Sequence, residues 1–138
     1  MDRTDYKILE ILQKRGRISM KDLAKEINMS TPATIERVRR LEENGSIVGY
    51  RAVIRPDRVG REVLAYLLVA VQYGHREEFY SLVQNCDAVV QASEGTGSFT
   101  HLLEISCADM DEFQRLVYRF YDMGNVQTCV VLDHLKKG

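Results

Sequence analysis

Tryptophan is absent from the 138 residues, proline occurs twice and cysteine three times. So little proline excludes polyproline linkers and proline-rich tails. Cys86, Cys107 and Cys129 lie far apart with no CxxC pair. That spacing excludes a disulfide framework or a zinc site and leaves reduced, mostly packed thiols. No apolar run approaches the roughly 18 residues of a membrane span. The opening MDRTDYK has no apolar signal core, so the chain is expected to stay in the cytoplasm. No charge of one sign dominates, the formal net charge being −1. What is present is a 45% apolar fraction, enough for a real core.

The small net charge conceals an asymmetry. Residues 1–60 carry 13 Lys/Arg against 9 Asp/Glu, and residues 61–138 carry 6 against 11. A basic front and an acidic back suggest two modules with different partners, and a near-neutral whole does not argue against nucleic-acid binding.

In the basic half, Ile8, Leu9, Ile11 and Leu12 give a helical face over Asp5–Lys14, with Thr4 as candidate N-cap and Gly16 as stop. Ser19 and Asp22 have capping-box-like spacing at the start of a second helix, which buries Leu23, Ala24 and Ile27. After the short turn at Asn28-Met29 a third helix runs from Ser30 through residue 43, and Asn44-Gly45 ends it. Ile35, Val38 and Leu41 form its apolar stripe, and Ala33, Glu36, Arg37 and Arg40 its outer side. Two helices joined by a short turn behind a supporting helix make a helix-turn-helix arrangement. Small residues and arginines turned outward suit a DNA major groove, and a solvated amphipathic helix has the same pattern.

Residues 47–54, IVGYRAVI, read as a linking strand, broken at Pro56. The acidic half reads strand, helix, strand, strand, helix, strand. Residues 63–73 are apolar at odd and even positions alike, as in a strand covered on both faces. In a module of about 75 residues the second cover comes most cheaply from another subunit. A helix over 77–86 points Phe79, Leu82, Val83 and Cys86 inward. A hairpin joins residues 88–94 to 98–107 through Gly95-Thr96-Gly97, and a helix begun by Asp109 and Glu112 buries Met110, Phe113, Val117 and Phe120. A strand over 126–135 closes the sheet. The fold class is therefore α+β: an N-terminal helix-turn-helix, winged-helix-like, followed by a C-terminal βαββαβ ferredoxin-like sandwich. The boundaries fall at 1–46, 47–62 and 63–138.

An ordered set of motifs carries a resemblance. Asp5-Tyr6-Lys7-Ile8-Leu9, Gly16-Arg17-Ile18-Ser19, Asp22-Leu23-Ala24 and Met29-Ser30 come first. Glu36-Arg37-Val38-Arg39-Arg40-Leu41-Glu42, Gly45 and Gly49-Tyr50 follow. Together they resemble the Lrp/AsnC, or feast/famine, transcription regulators over nearly the whole chain. The resemblance implies DNA-binding dimers that assemble into octamers or other rings, built partly by the linking strand and the sheet. It also implies a C-terminal module that senses amino acids or related metabolites, in a cytoplasmic, nucleoid-associated protein.

Candidate DNA contacts are Ser30, Thr31, Pro32, Ala33, Thr34, Glu36, Arg37, Arg40 and Lys21, with Lys25 and Arg39 as further cations. Arg37 and Arg40 are placed for guanine edges or phosphates. Glu36 has two candidate roles, accepting from cytosine or pairing with Arg40. Ser30, Thr31 and Thr34 are candidates for phosphates, with capping the competing role of Ser30. The family's effector loop has the form T/S-G-x-[FY]-D-[YL]-L-L, and Thr96-Gly97-Ser98-Phe99-Thr100-His101-Leu102-Leu103 matches it except at the aspartate. Gly97, Ser98, Phe99, Thr100 and Thr128 are the candidate effector contacts. Thr100 offers a hydroxyl where the resemblance implies a carboxylate facing an ammonium group, which weakens the expectation of an amino acid. His101 reads as a half-buried, satisfied histidine, and His75 and His134 as surface residues. No catalytic constellation, metal site or cofactor is expected. The competing functions are an effector-blind architectural DNA binder and, remotely, a tetrapyrrole decarboxylase-like enzyme.

Overall fold

Three capped helices make the first of two units, Met1–Val53 and Ile54–Gly138, in the computed structural model, which describes residues 1–136. The helices are α1 (Arg3–Lys14), α2 (Met20–Ile27) and α3 (Thr31–Glu43). Asp2, not Thr4, caps α1: its carboxylate accepts the Asp5 N–H at 2.9 Å, and the Asp5 carboxylate accepts the Asp2 N–H at 3.0 Å. This reciprocal box satisfies two main-chain donors at once, which a threonine further along cannot do. Ser19 caps α2 and Ser30 caps α3. Asn28 ends α2 in the left-handed region at φ 58°, a conformation asparagine tolerates.

Ile8, Leu23 and Leu41 meet at zero to two per cent exposure, with Leu12, Ile27 and Val38 around them. Ile35 departs from the expected stripe and stays 48% exposed. Residues 48–55 do not form the expected linking strand. Their backbone follows no regular element, and Val48 and Val53 are 96% and 92% exposed. A strand exists only against a partner ladder, and among the described residues no strand pairs with this segment.

The second unit follows the order β1 (Val63–Val71), α4 (Arg76–Gln84), β2 (Val89–Glu94), β3 (His101–Cys107), α5 (Met110–Tyr121) and β4 (Gly124–Val130). The four strands form an antiparallel sheet in the order β2-β3-β1-β4, as the βαββαβ reading expects. β4 ends at Val130, well short of residue 135. Side chains alternate across the sheet. Ala65, Leu67 and Val69 of β1 and Leu103 and Ile105 of β3 are at most 1% exposed and share one core with Phe79, Phe113, Val117 and Phe120 of the helices. Each fully buried aromatic or aliphatic side chain contributes roughly 1.5–3 kcal/mol. Met110 does not join them: it opens α5 and is 51% exposed.

The opposite face presents Tyr66, Leu68 and Leu102, with Tyr66 and Leu102 exposed. This is the uncovered second face that the doubly apolar β1 implies. No helix among the described residues is long and apolar enough to cross a membrane.

Candidate functional site

The candidate DNA contacts divide by what surrounds them. Ser30 spends its hydroxyl on the cap, accepting the Ala33 N–H at 3.3 Å. Thr34 is fully buried and donates to the Ser30 carbonyl at 2.9 Å. It therefore cannot reach a phosphate, a correction to its expected role. Thr31 and Ala33 are half-buried, and Pro32, Glu36, Arg39, Arg40 and Lys21 are exposed.

The three arginines of α3 behave differently. Arg37 does not lie free on the outer side, and its side chain is only 20% exposed. Its guanidinium donates to both Asp2 oxygens at 2.7 Å and to Asp5 at 3.0 Å, tying α3 to the capping box of α1. Arg39 sits between Glu36 and Glu43, donating to Glu36 at 3.0 Å, so Glu36 pairs with Arg39 and not with Arg40. These two carboxylates push the Arg39 guanidinium still further above its ordinary value. Arg40 alone of the three makes no ion pair among the described residues. An exposed, unpaired guanidinium on this helix suits bidentate contact with a guanine edge or a phosphate. Asp2 and Asp5 are the residues that reading the sequence missed. Their i, i+3 spacing at a helix start was the available signal for the cap. Nothing local pointed to Arg37, 32 and 35 positions away.

The candidate effector loop joins β2 to β3. Gly97 holds φ +112°, a region closed to most side chains, and lets the chain reverse there. The loop borders an open cavity of 470 Å³ whose walls include Leu68, Ser93, Ser98, Phe99 and Leu102. Ser98 and Phe99, two of the candidate effector contacts, both line it.

Thr100 is not on that wall. Its hydroxyl donates to the Val69 carbonyl at 3.0 Å, accepts the Val71 N–H at 2.9 Å and lies 2.8 Å from His101 Nδ1. A hydroxyl has one proton, so with that proton on Val69 the imidazole donates from Nδ1. Thr100 therefore fastens the start of β3 to β1, with its hydroxyl engaged inside the fold. Thr128 is also displaced from its expected place. It pairs with Leu67, whose side chain faces the helices, and so belongs to the other side of the sheet from Leu68.

His101 is 6% exposed and stacks against Phe79 with ring centroids 4.6 Å apart. Burial pushes its titration below the ordinary imidazole value, with Glu94 opposing and Arg76 adding to the shift. Its Nδ1 is satisfied by Thr100, whereas its Nε2 is buried without a partner. No group of three or more His, Cys, Asp or Glu that could hold a metal ion occurs among the described residues.

Comparison with known proteins matches both units. Residues 1–48 match the model of the winged helix-turn-helix DNA-binding family, and residues 64–138 that of the Lrp/AsnC ligand binding domain. The leucine-responsive regulatory protein of Haemophilus influenzae is 33% identical, covering 99% of this chain and 87% of the relative. That of Escherichia coli K12 is 32% identical, covering 99% and 88%. Among solved structures, a Neisseria meningitidis transcriptional regulator in complex with L-Met superposes with a TM-score of 0.92 at 27% identity, covering 99% and 93% of the two chains. B. subtilis LrpC gives 0.91 at 25% identity, covering 100% and 99%. With the basic helix-turn-helix, the antiparallel sheet module and these matches in place, the chain belongs to the Lrp/AsnC family of DNA-binding transcriptional regulators.

Proposed function

We propose that this regulator acts as a homodimer, or a ring of dimers, and reads an imperfect DNA palindrome with one α3 from each copy. The supporting observation is Arg40, exposed and unpaired beside a helix start that presents Thr31, Pro32 and Ala33. Thr31 and Lys21 contact the phosphate backbone, and Arg40 faces base edges, while Ser30 caps the helix and Glu36 holds Arg39. The open sheet face at Tyr66, Leu68 and Leu102 is the surface that a second copy covers. The protein works in the cytoplasm on nucleoid DNA and catalyses no reaction. Arg40→Ala is expected to weaken binding to a duplex selected by the wild-type protein by about 1–3 kcal/mol, with relaxed preference at one base position. Unchanged affinity and an unchanged salt dependence, measured by fluorescence anisotropy across salt concentrations, would place Arg40 outside the interface.

The effector is an amino acid or a related small metabolite bound beside Ser98 and Phe99. Support comes from the match to a ligand-binding domain and from the L-Met complex of the Neisseria regulator. One observation favours an effector-blind architectural binder instead: the Thr100 hydroxyl is consumed within the fold. A thermal-shift screen against amino acids and their metabolites separates the two. A stabilising ligand supports sensing, and failure of every compound to raise the melting temperature supports the architectural role.

A further inference from the structure

Arg37 lies at the middle of α3, and its partners belong to the start of α1. One nitrogen, Nη1, donates to Asp2 twice at 2.7 Å and to Asp5 at 3.0 Å. The side chains of Arg37 and Asp5 are 20% and 16% exposed, so this is not a freely solvated surface pair. The guanidinium, helped by the Asp5 N–H, holds the Asp2 carboxyl down at about 2. The same two carboxylates cap α1 through each other's main-chain N–H groups. One polar cluster therefore serves two jobs, closing the first turn of α1 and restraining α3.

We propose that Arg37 is a positioning residue for DNA recognition, acting through Asp2 and Asp5 rather than by touching DNA. The proposal rests on α3 being the groove-reading helix. A side chain anchored at residues 2 and 5 fixes the rotation of α3 about its own axis. Arg40 stands three residues further along the same helix, so that rotation also sets the direction in which Arg40 projects. The contact has a second consequence. Two carboxylates near a DNA-facing surface repel phosphates, and Arg37 neutralises them where they stand.

The alternative, a phosphate or base contact by Arg37, makes the opposite prediction for its partners. Asparagine caps a helix about as well as aspartate, so Asp2→Asn/Asp5→Asn keeps the α1 cap while removing both ion pairs. The double variant gains two units of positive charge, which by electrostatics alone tightens DNA binding. Positioning instead predicts weaker binding, by about fivefold or more, on a duplex selected by the wild-type protein from a random pool. Arg37→Gln should lose a similar factor with an unchanged salt slope, and combining all three substitutions should add little further. Arg37→Lys should not restore affinity, because the lysine side chain is one bond shorter and its ammonium stops short of the position Nη1 holds between the two carboxylates.

Equal or tighter binding by the asparagine variant overturns the proposal. So does a fall of about one in the salt slope for Arg37→Gln, the mark of a lost phosphate contact. A loss of affinity that tracks the unfolded fraction, and vanishes well below the melting temperature, overturns it too. Arg40→Gln on the same duplex reports on the helix assignment separately. Its failure to weaken binding refutes α3 as the reader, whereas weakening there with none in the asparagine variant refutes only the role given to Arg37.

Discussion

Replacing Gly124 by alanine is expected to lower the stability of the sheet module by roughly 3–5 kcal/mol, near the upper end for a single substitution. Gly124 opens β4 opposite Val71, the last residue of β1. A Cβ built there lies 1.9 Å from the Ala70 carbonyl oxygen and 2.8 Å from its carbon. Both are main-chain atoms of a central strand, so no side-chain rotation relieves the clash. The backbone at φ +156° adds strain for any residue with a Cβ. β4 must move away, giving up the ladder around Ala70–Asn125 and Val71–Gly124. For a module of this size the melting temperature should fall by roughly 15 °C or more, measurable by calorimetry. Gly95→Ala is the control, because nothing lies within 4 Å of its Cβ position. That variant should stay within about 1 kcal/mol of the parent.

The second large effect concerns the uncovered sheet face. Leu68→Glu combined with Leu102→Glu is expected to convert the proposed oligomer into a monomer. The two leucines are cross-strand partners at the centre of the sheet, on the face the helices leave open. A stable interface buries about 1,200–2,000 Å² in total, and two carboxylates per copy at its middle would be desolvated without partners. The single chain tolerates the change, since Leu102 is already 44% exposed. Circular dichroism should stay native while light scattering reports half the mass or less. DNA affinity should fall by about 10²–10⁴, the factor contributed by joining two binding heads. A double variant that keeps its parent mass shows that copies meet elsewhere.

How much of this was legible from residues alone differs by element. The helices and the order of strands follow from apolar spacing and capping residues, which are local signals. Ser19, Ser30 and Asp109 cap where the spacing places them. The role of Arg37 was not legible, because its partners are remote in sequence and helical periodicity alone turned it toward solvent. The linking segment was read as a strand because Val48, Val53 and Ile54 are β-formers. Pairing is a property of two segments, and this chain supplies only one. Thr100 shows a subtler limit. Its departure from the family pattern is visible in the sequence, but its direction is not. Alternation along β3 begins only at His101, so the side chain just before the strand turns toward the β1 backbone instead of the cavity. The side of the sheet that Thr128 occupies was not legible, because it depends on the register of β4, which composition does not fix.

The central claim, paired groove reading by α3, is tested most directly by selecting bound duplexes from a random pool with the full-length protein and sequencing them. The expected result is an enriched imperfect palindrome whose half-sites are centred about 10 base pairs, one helical turn, apart or a multiple of that. The Arg40→Ala protein should lose the preference at one symmetric pair of positions. Enrichment of a single unpaired half-site, or of no sequence at all, would contradict it.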